Sequence, residues 1–452
     1  MRSILNHINL ILLYSVISIS IFLSFKFGWW NNIYFNKIDF LLISSCFLYF
    51  FIKDKIILVF FTFFLFIILN LYGILPIVSI IFLIFLSYLI GFTFQKILKI
   101  KDKKIFSINS FALGLGTISL IINVCSFFKI NTSIFFFILF GSIGILIFLI
   151  NFSEIIYFIK NNKIKYKSPN HGFILTNIFI FLSIYILINA LIPDSSHDGL
   201  STHLTIPKLL KLHQYWQYDV QNYIWSVQPF GSQWIYSFLY FFGGEVSIKI
   251  FLAVLLFLLL FYSYDFFIKE NFNQKLAFAS SLLIISLPLS LTFIEKLHID
   301  IVHAFITTVI FFEIFKKQRN WYIISILTGI CFSIKSSSIL LMPLLIHIYF
   351  FDSKKNFKFK DLILILNLGL LFCFIPYFVA FIKTGSPTFP LYNEIFRSDL
   401  ISKEAFYKPM FSNQSISDFF YTTFESKRYA DHQKFNGSIG IVYFVLRYQT
   451  KT

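Results

Sequence analysis

The feature that most constrains this chain is a succession of apolar runs of near-helical-span length, separated by short loops rich in Lys. A membrane helix needs about 20 apolar residues to cross a hydrocarbon core about 30 Å thick. Runs of this kind fall at 8–25, 38–52, 56–73, 75–94, 105–127, 132–152, 173–192, 245–268, 275–294, 298–315, 321–336, 338–351, 360–383 and 437–447. Several are short, and 437–447 is too short to cross unaided. Backbone groups find no partners in hydrocarbon, so the expected fold is an all-α, multi-span helical bundle with outer-face loops and short interfacial helices. Composition argues against a soluble domain. Of 452 residues, 58% are hydrophobic and 13% are charged, whereas soluble chains carry roughly 25% charged residues. No small-residue cleavage site follows 8–25, so that run is expected to be a retained helix. Cys46, Cys125, Cys331 and Cys373 all lie inside apolar segments. They read as small buried hydrophobes, not as a disulfide framework or a metal site.

The net charge of +17 is a topology signal; no nucleic-acid partner is expected. Counted from a cytoplasmic N-terminus, the even-numbered loops hold Lys53 and Lys55, then Lys96, Lys99, Lys101, Lys103 and Lys104, then Lys160, Lys163, Lys165 and Lys167. Further on they hold Lys269 and Lys275, Lys316, Lys317 and Arg319, and Lys354, Lys355, Lys358 and Lys360. The odd-numbered loops are poor in Lys and Arg for their length. The positive-inside rule then predicts a cytoplasmic N-terminus and places 193–244 and 384–436 on the outer side. Composition shifts near Pro169, dividing the chain into accessory helices over 1–172 and a functional part over 173–452.

The stretch 193–231 is the most polar and His-rich of the chain. It holds Asp194, His197, Asp198, His203, Lys208, Lys211, His213 and Asp219 among Trp and Tyr side chains. From Leu204 to Trp216 the pattern is that of a short amphipathic helix lying in the interface. On composition alone this is equally an ordinary outer loop with interfacial aromatics. Two charges inside apolar runs weigh against that plain reading. Asp300 opens an apolar helix, and Lys335 interrupts another. Lys335 lies fifteen residues beyond Asn320, or about 22 Å of helix, which sets it at a depth similar to Asp300. An ionised side chain at mid-membrane costs about 2.5–3.5 kcal/mol, so such residues are functional-site candidates by default. Snorkelling of Lys335 to the headgroups, and a dipole-favoured helix-first-turn role for Asp300, stay open beside the functional reading.

The string DGLSTHLTIPKLLKLHQYW, followed by QPFGSQWIYSFLYFFGGEVSIKIF, resembles the first outer loop of bacterial polytopic glycosyltransferases of the GT-C fold. These include protein-mannosyltransferase-like and aminoarabinose-transferase-like enzymes that use polyprenyl-phosphate sugars. The matching pattern consists of Asp198, His203, Leu204, Pro207 and Lys208, then Pro229, then Gly243, Gly244 and Glu245. The resemblance continues at LHIDIVHAF with Asp300, at LTGICFSIKSSSILL with Lys335, and at KTGSPTFPLYNEIF, where Ser386 stands in place of Asn. Together these cover about 190–400. The chain departs from the pattern at Thr202, where many relatives have Tyr, and at Gly199, where many have Glu. Asp194 is too distant in sequence to replace that Glu, which removes the usual carboxylate pair of a metal site. Relatives continue through more helices, so the core is expected to be truncated at its C-terminus.

The resemblance implies an inverting sugar transfer from a polyprenyl-phosphate donor to a glycan, lipid or protein acceptor, in the cytoplasmic membrane of a bacterium. It implies catalytic roles for Asp198 and Asp300, and phosphate binding by Lys335, His203 and Lys208. No cofactor is certain, and a divalent cation is possible. Trp216, Tyr223 and Trp225 offer apolar faces to a sugar, to the prenyl chain or to membrane lipids. Competing classes are a transporter or lipid flippase, an O-antigen-polymerase-like protein, and a membrane scaffold. No matched pair of broken helices favours the first. An O-antigen polymerase relies on outer-loop arginines, and only Arg397 and Arg428 lie there.

Overall fold

A computed structural model of the chain describes residues 64–65, 67–100, 105–161, 173–286, 288–316, 319–351, 359–391 and 393–400. The expected spans 8–25, 38–52 and 437–447, most of 56–73, the lysines of 53–55, 101–104, 163–167 and 354–358, and the outer segment beyond residue 400 lie outside these. The chain divides into two compact units, Met1–Gly73 and Ile74–Thr452. Of the first, the described residues 67–72 are helical.

The described part of the second unit is all helical, with no strand. In chain order it comprises α1 (Leu75–Ile97), α2 (Ile108–Cys125), α3 (Ser133–Ile150), α4 (Phe152–Asn161) and α5 (Phe173–Leu191). A π turn (Gly199–His203) leads into α6 (Thr205–His213) and the long α7 (Gly231–Lys269). Then follow α8 (Gln274–Ser286), α9 (Pro288–Glu295), α10 (Asp300–Phe315) and α11 (Trp321–Ile334). A 3-10 turn (Ser336–Leu341) precedes α12 (Met342–Phe351), α13 (Phe359–Thr384) and the short α14 (Asn393–Phe396). Among the described residues, five helices are long and apolar enough to cross a membrane: α1, α2, α3, α7 and, from Ile363 on, α13.

In lipid, apolar surface alone gives helices little reason to associate, so contacts depend on small residues that let backbones approach. α1 and α2 pack this way. A Cβ at Gly91 would meet Ser110 O at 1.8 Å, and one at Gly114 would meet Ser87 O at 1.9 Å. α11 and α13 meet at Gly329 and Gly369, where a Cβ on Gly329 would fall 2.0 Å from the facing carbonyl. Around these contacts Leu83, Leu89, Phe111, Phe238, Phe251 and Phe305 are fully buried. α7 runs through the centre and packs on α1, α2, α5, α8 and α10.

Several apolar runs differ from their expected bounds. The run 245–268 is the second half of α7, which begins at Gly231. Ser232, Gln233 and Ser237 lower the hydropathy of its first half, yet all are buried against protein. The halves meet at Gly244, whose φ of 68° and ψ of −163° fall in a region open essentially to glycine. The Ser247 hydroxyl lies 2.9 Å from Leu239 O and 2.6 Å from Gly244 O, covering carbonyls left open by the kink. The run 275–294 divides into α8 and α9 around Pro288, whose ring cannot continue a helix. The run 132–152 ends at Asn151, and α4 follows as a separate amphipathic helix.

Charges gather at opposite ends of the bundle. At one end Lys96 meets Glu154 at 2.6 Å, and Asn109 donates to Glu313 at 2.5 Å, which also pairs with Lys316. At the other end Trp216 N donates to Ser126 O, and Asn131 Nδ2 donates to Gln214 O. These bonds seat the 193–230 segment over the α2–α3 connection. The positive-inside expectation puts this second end outside. Ser201, exposed on the π turn, tests it. A Ser201→Cys variant lacking the native cysteines is expected to react with a membrane-impermeant maleimide in intact cells. Labelling that needs lysis would reverse the orientation.

Candidate active site

Helix ends and one loop deliver titratable groups to the same end of the bundle. Asp300 opens α10, where an acid is favoured by the helix dipole. Lys335 follows the last residue of α11 with extended backbone (φ −153°, ψ 128°), so the helix stops and the side chain turns across to α10. Its Nζ donates to Asp300 Oδ1 at 2.6 Å. The two side chains remain 40% and 24% exposed. An ion pair this open contributes about 0.2–1 kcal/mol to stability, a weak reason to place it here.

His298 precedes Asp300 by two residues, and its Nδ1 lies 3.9 Å from Asp300 Oδ2. The Tyr236 hydroxyl of α7 donates to the His298 carbonyl at 2.7 Å and holds that turn. The rings of His298 and His203 meet edge-on with centroids 5.8 Å apart. His203 closes the π turn and is nearly buried. Gln233 of α7 donates from Nε2 to His203 Nδ1 at 3.1 Å, which leaves the ring proton on Nε2. Burial, then the neighbouring His298, pushes the His203 imidazole down to about 4, against opposing pulls from Asp300 and Asp198. At neutral pH His203 is therefore an uncharged hydrogen-bond donor. Burial likewise lowers His298, opposed by Asp300 and then Asp198.

Asp198 caps the π turn on the solvent side and lies 3.6 Å from His197 Nδ1, both side chains being exposed. Its charge acts on the rings of His203 and His298, as does that of Asp300. Asp300, Lys335 and His203 thus come together, with Asp198 at the open side. Lys208 is exposed on α6, and the structure does not link it to this group. Trp216 is buried, with its ring against Phe230 and Trp234 and its Nε1–H on Ser226 O at 2.8 Å. Tyr223 and Trp225 are half-buried, with Tyr223 Oη 3.5 Å from Ser201 O.

Sequence reasoning passed over His298, Gln233 and Tyr236. His298 sits inside the quoted LHIDIVHAF string and was available as a second titratable group. Gln233 and Tyr236 carry no such signal, because they matter only through partners 30 and 62 residues away. Among the described residues no group of three or more His, Cys, Asp or Glu side chains has metal-ligand geometry.

Beside the loop lies an apolar groove of about 870 Å³. Phe127 and Phe128 beyond α2, Phe374, Phe378 and Ile382 of α13, and the Tyr215–Asp219 strip, including Trp216, line it, with Lys383 at its rim. The turn after α13 closes onto the loop, where Phe389 packs on Val227.

The depressed His203 has a measurable consequence. In the unfolded chain a His titrates near 6.5, so between about 6.5 and 4 the unfolded state holds the extra proton. Its contribution is complete above 6.5 and falls as pH drops toward 4. The melting temperature in detergent is expected to fall between pH values of about 7 and 4.5, and His203→Gln is expected to flatten that fall. An identical slope in the variant would contradict the assignment.

Residues 227–379, about a third of the chain, match the family described as dolichyl-phosphate-mannose-protein mannosyltransferase. The matched segment contains the kinked α7, Asp300 and Lys335. No curated protein and no solved structure matches the chain. The family match, with an all-helical multi-span fold, supports a membrane glycosyltransferase of the GT-C type.

Proposed function

We propose that this chain transfers a sugar from a polyprenyl-phosphate donor to a cell-envelope acceptor, at the outer face of a bacterial cytoplasmic membrane. The observation that carries this reading is the Asp300–Lys335 pair, set between two helix ends beside His203 and His298. A lipid phosphate leaves as a stable anion, so its departure needs a nearby cation more than an acid. Lys335 has three N–H donors, and one is spent on Asp300. The others are free to hold the phosphate, with Asp300 fixing the ammonium's direction. His203 Nε2–H adds an uncharged donor.

Asp198 acts as general base. It takes the acceptor hydroxyl's proton as that oxygen attacks the anomeric carbon. The new carbon–oxygen bond forms as the bond to the phosphate oxygen breaks, with inversion. The proton ends on Asp198 and the electron pair on the lipid phosphate beside Lys335. The groove between α2 and α13 suits the prenyl chain, since its walls are apolar and Trp216 and Tyr218 line its loop side. The test is a radiolabelled transfer assay in membranes with polyprenyl-phosphate sugars, comparing wild type with Asp198→Asn. Label reaching an envelope acceptor only with active Asp198 supports the reading. Absence of transfer from every such donor by the wild type would remove it.

A further inference from the structure

The loop ahead of the π turn contains a carboxylate that the transfer chemistry does not use. Asp194 is 6% exposed and accepts hydrogen bonds from three groups. Ser196 N donates to its Oδ1 at 2.8 Å. Ser196 Oγ and the backbone N–H of Leu297 donate to its Oδ2 at 3.1 and 2.7 Å. Its own N–H donates to Glu245 Oε1 at 2.6 Å, just past the α7 kink. Gly199 N donates to Ser196 Oγ at 3.1 Å, which extends the same set of bonds into the turn that carries Asp198 and His203.

Leu297 is 103 residues away in sequence and immediately precedes His298. One buried side chain therefore joins the Asp198–His203 turn to the segment leading into Asp300. An amide could not replace it, because Asn has a single acceptor oxygen where the carboxylate uses both. The space is equally specific. A Cβ on Gly199 would lie 1.6 Å from Asp194 Oδ2, so the residue after Asp198 must be glycine while Asp194 stays in place. This accounts physically for the departure at Gly199.

We infer that Asp194 is a positioning residue, setting Asp198 and His203 in register with His298 and Asp300; this rests on the transfer reading above. Asp194 touches no substrate and acts through the loop it holds. The whole 452-residue chain in nanodiscs provides the test, with Asp194→Asn, Gly199→Ala and the milder Ser196→Ala. Loss of a hydrogen bond to a charged acceptor is worth about 1.5–3 kcal/mol. Amide exchange of the peptide containing Leu297 is therefore expected to accelerate roughly 10- to 150-fold in Asp194→Asn. Turnover should fall by about the same factor, with a smaller rise in donor KM through His203, because the Asp198 interaction that is weakened is made only in the transition state. In an Asp198→Asn background the further loss should be slight, since residues acting as a unit are non-additive. Unchanged exchange at Leu297, a loss confined to KM, or fully additive losses would each overturn the inference. If the wild type transfers no sugar, the exchange measurement still decides whether the clasp exists, and the transfer reading fails separately.

Discussion

Asp198→Asn is expected to lower sugar transfer by about two to four orders of magnitude, the range measured for removing a positioned general base. Asn is nearly the same size and stays polar, so the exposed cap of the π turn should keep its shape. Only proton acceptance is lost. Donor KM should change little, because the lipid phosphate contacts Lys335 and His203 and not Asp198. A thermal midpoint equal to wild type would separate this effect from misfolding. The assay is single-turnover transfer in membranes at matched expression. A variant retaining more than about a tenth of wild-type turnover would remove Asp198 from the role of base.

Lys335→Gln is expected to reduce turnover by roughly 10- to 150-fold, from the about 1.5–3 kcal/mol carried by one charge-assisted contact. The structure sharpens this expectation. Asp300 is the lysine's partner, so Lys335→Gln leaves a carboxylate without its cation beside the proposed phosphate site. The repulsion adds to the missing attraction and should appear partly in KM. Lys335→Arg keeps the charge on a planar head of different reach and should retain part of the activity. The double variant Lys335→Gln with Asp300→Asn removes both charges. It should bind donor better than Lys335→Gln alone while remaining slow. Full activity in Lys335→Gln would leave only the ion pair with Asp300, or an approach to the headgroups, as its role.

Several features were readable from the residues because their causes are local or periodic. Helices of span length follow from hydropathy and from the need to satisfy backbone groups internally. The start of α10 near Asp300 follows from an acid favoured in the first turn of a helix, whereas the expected run 321–336 carried helix past Lys335, where α11 has already stopped. α6 follows from its amphipathic pattern, and the 227–379 match takes in the motifs at Pro229, Gly243 to Glu245, Asp300 and Lys335 but not the pattern from Asp198 to Lys208. The divided runs were less readable. A hydropathy window averages across Pro288 and Asn151, and it counts buried Ser232, Gln233 and Ser237 as loop residues because it cannot see what surrounds them.

By itself, then, the sequence determined an all-helical membrane bundle, the approximate helix bounds among the described residues, and the candidates Asp198, His203, Asp300 and Lys335. Tertiary structure alone decided how those candidates are related. Asp300 and Lys335 are 35 residues apart, yet share a hydrogen bond because α11 stops at Ile334 and turns its next side chain toward α10. His203 is uncharged because the packed turn excludes water from it, an effect that no local pattern encodes. Asp194, set aside for its distance in sequence from Asp198, lies against Gly199 because the loop folds back on itself. Side-chain identity and period are written along the chain, whereas burial, register and pairing between distant segments exist only once the helices have packed.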